Sequence, residues 1–76
     1  MNDIIMPDTP RIHVRFDGRS WDLLCSDLDV GQMSSDEQVR AALASYFNVP
    51  VPKFSAYVVE RHQNGNMTVR PEAVFG

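Results

Sequence analysis

The sequence predicts an α+β domain of ββαββ order, with one helix packed across a four-stranded mixed sheet. Three stretches carry that prediction. "RIHVRFDGRSWDLL" holds two short alternating runs around Asp-Gly. "SSDEQVRAALASYFN" repeats apolar residues at helical spacing between a polar start and an asparagine. "FSAYVVERHQNGNMTVRPEAVF" sets two β-rich runs around Asn-Gly-Asn.

Residues 1–10 contain two prolines and no sustained period, which predicts a flexible N-terminal arm before a single domain over 11–76. In the first strand Ile12, Val14 and Phe16 alternate with Arg11, His13 and Arg15, the period of a half-buried strand. Asp17-Gly18 suits a two-residue type I′ turn, because both positions need positive φ. That turn sets Val14 opposite Trp21 and Ile12 opposite Leu23, so the apolar faces of both strands agree. A slip of one residue would send Trp21 to water. On the other face His13 falls across from Asp22.

"SDLDVGQM" reads as a connection with Leu28, Val30 and Met33 as anchors beneath the helix. Ser34 or Ser35 can accept the first free helical N–H, and Glu37 or Gln38 completes a capping box. Asp36 and Glu37 suit the positive end of the helix dipole. Val39, Ala42, Leu43, Tyr46 and Phe47 form one apolar stripe. Asn48 can take the left-handed conformation that ends a helix, and Pro50 stops it from resuming. After "VPVPK", a strand from Phe54 and a strand from Met67 flank the Asn-Gly-Asn turn. Pro71 cannot donate to a ladder, so it belongs at a bulge or where its missing N–H faces no partner.

A chain of 76 residues forms one modest core, burying about 60% of the surface its unfolded form exposes. With 43% hydrophobic and 22% charged residues it matches a soluble globular protein rather than a disordered one. The single Cys25 excludes an internal disulfide and favours a reducing compartment. The opening "MNDIIMPDTP" has no basic leader and no apolar run of signal-peptide or membrane length, so no signal peptide is expected and the expected location is cytoplasmic. The net charge of −3 is unevenly spread. Asp22, Asp27, Asp29, Asp36 and Glu37 crowd one segment, whereas Arg11, Arg15, Arg19, Lys53, Arg61 and Arg70 lie outside it. Such polarity can orient a partner during encounter.

Little in the sequence points to catalysis, and the chain is expected not to be an enzyme. Cys25 with His13 or His62 shows no nucleophile signature, and aspartates rather than cations follow the thiol. The same three residues lack the paired spacing of zinc sites. Asp27, Asp29 and Gly31 resemble a fragment of a calcium loop whose remaining ligands are missing. "VGQMSSDEQ" has one glycine and two carboxylates in the first helical turn, which would repel phosphate. No cofactor is expected. Nucleic acid is also disfavoured, since Phe16 and Trp21 point to the covered face and the chain is acidic.

Two hairpins joined by a helical crossover let the first and last strands pair in parallel at the sheet centre. That is the β-grasp arrangement, although ferredoxin-like and other α+β domains share the same elements. From Ile12 to Gly76 the element order resembles the ubiquitin-like superfamily in compact form, including a last strand that ends in glycine. The resemblance implies a protein-interaction module that meets a protein partner through the uncovered sheet face, at Arg11, His13, Arg15, Asp22 and Leu24, or through an edge strand. It also implies an alternative, a modifier or sulfur carrier whose Gly76 carboxylate is activated by an adenylating enzyme. Such proteins usually finish with two glycines, and here Phe75 stands at the penultimate place.

Overall fold

A computed structural model describes residues 10–72. The first hairpin joins β1 (Arg11–Phe16) to β2 (Arg19–Leu24) through Asp17 and Gly18, whose φ angles are 56° and 74°. Both values lie in the left-handed region that a type I′ turn requires. The register sets Ile12 against Leu23, His13 against Asp22 and Val14 against Trp21, as the alternation predicts. Pro10, counted with the arm, extends this ladder: its carbonyl accepts the Cys25 N–H at 3.0 Å.

The sheet order is β2-β1-β4-β3, with β3 spanning Tyr57–Arg61 and β4 spanning Met67–Pro71. β1 and β4 run parallel at the centre, and antiparallel partners flank them. This is the mixed β-grasp sheet expected from two hairpins and a crossover. His62 and Asn66 close the second hairpin, and Gly65 takes φ 95° in the three-residue loop between them. Pro71 sits where its ring costs the β3 ladder nothing. The Glu72 N–H to Ala56 carbonyl bond of 2.9 Å places the Tyr57–Pro71 pair between ladder bonds. On the other side, pairing with β1 stops at Val14–Val69.

The main helix, α2 (Asp36–Phe47), begins with a complete capping box. Ser35 Oγ accepts the Gln38 N–H at 3.1 Å, and Gln38 Oε1 accepts the Ser35 N–H at 2.8 Å. It ends at Asn48, in the left-handed conformation at φ 58°. Val39 and Leu43 are wholly buried against the sheet. Ala44, outside the predicted stripe, is buried too, whereas Tyr46 lies at the rim and half exposed.

Three local expectations are corrected. The connection after β2 opens with a short helix, α1 (Cys25–Leu28), which buries Cys25 and Leu28. Leu28 and Val30 pack on the core as expected, but Met33 is 97% exposed in the Gly31–Ser34 turn. Phe54 does not begin a strand: Val51–Phe54 is a 3₁₀ helix with proline at its start, and β3 opens at Tyr57. That turn matters to packing. Strand alternation back from the buried Val59 would put residue 54 on the uncovered face, whereas the 3₁₀ helix drives Phe54 fully into the core. There its ring centroid lies 4.9 Å from Phe16 and 4.8 Å from Tyr57, and Phe47 completes the cluster.

Candidate protein-interaction face

Every β strand of this fold has one face beneath α2 and one face without a helix. Ile12, Val14, Leu23, Val59, Met67 and Val69 point to the covered side and are buried. Their neighbours therefore line the uncovered side. The predicted residues Arg11, His13, Arg15 and Asp22 stand there exposed, and Leu24 is half-buried beside Arg11. The structure thus brings all five onto one surface.

The parallel pairing adds residues that the sequence reading missed. His13 lies level with Thr68 on β4, and Thr68 lies level with Glu60 on β3. The sheet therefore carries a transverse row Asp22, His13, Thr68, Glu60. Val58 and Arg70 pair in the next row, and His62 stands beyond Glu60. The run Tyr57-Val58-Val59 is apolar throughout, so alternation alone does not say which of the three faces outward. The loop closure His62–Asn66 carries that information, since it fixes Arg61 opposite Met67.

Local contacts hold several of these groups. His13 Nδ1 and Asp22 Oδ1 are 3.7 Å apart, a loose exposed pair. His62 Nε2 and Thr68 Oγ1 meet at 2.8 Å. Arg70 donates to Glu60 at 2.9 Å across the β3–β4 ladder. That hydrogen bond, aided by the Arg70 charge, holds the Glu60 carboxyl below its ordinary range and pushes the Arg70 guanidinium up. Arg11 and Arg15 differ: among the described residues no carboxylate lies within ion-pair distance of either. Four residues apart on one strand, they spring from backbone positions about 13 Å apart.

No Phe, Tyr or Trp among the described residues stands on this face. Phe16 and Trp21 turn to the helix side, where Phe16 lies 4.7 Å and Trp21 5.2 Å from the Phe47 ring. Cys25 is buried, and burial pushes its thiol pKa up, away from nucleophilic use. No group of three metal-ligating side chains occurs among the described residues. No helix among them is long and apolar enough to cross a membrane. A separate groove of about 440 Å³ lies between α2 and the 3₁₀ helix, lined by Glu37, Arg40, Ala41, Val51 and Ser55. It contains none of the predicted site residues. Gly76 and Phe75, which carry the alternative reading, lie outside the described residues. Comparison with models of known protein families, with curated proteins and with solved structures returns no match to this chain.

Proposed function

We propose that this domain is a small ubiquitin-like protein-interaction module without catalytic activity, and that its uncovered sheet face receives an acidic protein surface. One observation carries the reading: Arg11 and Arg15 stand exposed on that face without a carboxylate partner among the described residues. Exposed cations contribute little to folding, so their use lies in steering and orienting a partner. The four-stranded sheet fixes the strand positions from which both side chains rise. Aspartates and glutamates on a partner would take up the two guanidinium groups, while His13 and Thr68 fill the space between.

The test compares wild type with Arg15→Glu and Arg11→Glu as immobilised baits, followed by binding measurements on the purified partner. Affinity for that partner should fall on either charge reversal, and wild-type affinity should weaken with salt. Unchanged affinity in both variants would remove the sheet face from consideration.

A further inference from the structure

The two edges of the sheet are not equivalent, and hydrogen-bond parity shows how. The Cys25 N–H to Pro10 carbonyl bond makes residues 10 and 25 a hydrogen-bonded pair. By alternation, Ile12–Leu23, Val14–Trp21 and Phe16–Arg19 are also hydrogen-bonded pairs. The backbone groups of Ser20, Asp22 and Leu24 therefore point away from β1, out of the sheet. Leu24 lends its carbonyl to the start of α1 as that helix's N-cap. Three N–H groups and the carbonyls of Ser20 and Asp22 remain, with no partner among the described residues.

The same parity on β3 turns the backbone of Tyr57, Val59 and Arg61 outward, since Ala56 and His62 bond to β4 and its loop. This edge is obstructed. Arg40 Nε and Nη2 both donate to the Tyr57 carbonyl, at 3.1 and 2.9 Å. Arg61 at the other end is drawn to the Ser34 carbonyl and to Asp36, both at 2.7 Å. Gln32 donates to the His62 carbonyl at 2.7 Å. Side chains that cross an edge in this way are a standard means of denying it to another strand. Among the described residues no side chain crosses β2 in this way.

We propose that the β2 edge is a second docking site, built to accept one extended strand of a partner protein with the alternation apolar, basic, apolar. The side chains of β2 set that pattern. Asp22 stands exposed on the uncovered side midway along this edge strand, so a lysine or arginine belongs opposite it. On the covered side, Trp21 is half-buried, and the half-exposed Tyr46 stacks edge-on against the Phe47 ring that Trp21 also touches. Apolar side chains of an added strand would extend this aromatic rim. The site shares Asp22 with the arginine face but differs from it in mode, because it binds through the β2 backbone rather than through Arg11 and Arg15.

The experiment titrates the full-length ¹⁵N-labelled protein with a blocked five-residue peptide alternating valine and lysine. Two control peptides replace lysine by glutamate or N-methylate alternate backbone nitrogens. Binding should shift the Ser20, Asp22 and Leu24 amides and slow their exchange, leaving Tyr57, Val59 and Arg61 unmoved. The N-methylated peptide should not bind. Asp22→Lys, an exposed substitution whose fold is checked by its spectrum, should weaken the lysine peptide about fivefold and favour the glutamate peptide. Shifts centred on β3, equal binding of the N-methylated peptide, or no shift at millimolar peptide would overturn the proposal. Concentration-dependent shifts of the three β2 amides without peptide would also overturn it, by identifying the added strand as a second copy.

Discussion

Replacing Phe54 by alanine should remove a large share of the domain's stability. The ring is wholly buried and packs against Phe16 and Tyr57 at centroid distances below 5 Å, with Phe47 at 6.1 Å. Phenylalanine-to-alanine changes at such sites cost about 3–5 kcal/mol, through lost burial and the cavity left behind. A chain of this length is stable by roughly 4–11 kcal/mol, so the loss is of the order of half. Urea unfolding followed by Trp21 fluorescence measures it directly, because Trp21 packs against the same aromatic cluster. With a slope of about 1 kcal/mol per molar urea, the midpoint should fall by about 3–5 M. Should the alanine variant be unfolded from the outset, Phe54→Leu gives a measurable loss of about 1.5 kcal/mol. A loss below about 0.5 kcal/mol for alanine, the range of exposed substitutions, would refute the packing. It would mean that residue 54 continues β3 and faces outward, as strand alternation alone requires.

Ser35→Ala should cost about 1 kcal/mol in urea unfolding, since it breaks the capping box at α2, whereas Ser34→Ala should cost less. Gly18 has open space where a Cβ would stand but a φ of 74°. Gly18→Ala should therefore cost about 1 kcal/mol through backbone strain alone, and Gly18→Asn clearly less; equal losses would point to a clash instead. The Cys25 thiol is held protonated by burial, so the folded chain keeps its proton after the unfolded chain has lost it. Stability is unaffected by the thiol below its ordinary pKa and declines as pH rises through that value and towards the folded one. The stability difference between wild type and Cys25→Ala should accordingly shrink between pH 8 and pH 10. A constant difference would show that the thiol ionises freely in the fold.

The first hairpin was legible residue by residue because two signals agree there. Asp17-Gly18 fixes the turn, and the alternation on both sides fixes the faces, so the register has one solution. The helix limits were legible for the same reason, with caps at both ends of a periodic stripe. Elsewhere the signals were single. Cys25–Leu28 is one turn of helix, too short to show a period, and it starts where the Cys25 N–H donates to the Pro10 carbonyl. Met33 reads as an anchor by polarity alone, yet the Ser34 N–H to Gly31 carbonyl turn leaves it in solvent. At Phe54 two closely spaced prolines favour a tight turn over a strand, but an aromatic residue before a β-rich run reads the other way. The candidate face followed this division. Its β1 and β2 half was readable from the hairpin, whereas Thr68, Arg70, Glu60 and Val58 join it only through the parallel pairing of distant strands.

That parallel pairing also sets when the molecule can fold. β4 is the last of the four strands to leave the ribosome, yet it lies between β1 and β3 and supplies Met67 and Val69 to the core. Arg11 and Asn66, joined by a hydrogen bond, are 55 positions apart. Until that strand clears the exit tunnel, β1 has a vacant flank and β3 has no neighbour. The nascent chain must wait with its first hairpin and helix half-assembled, and the core closes only when β4 arrives.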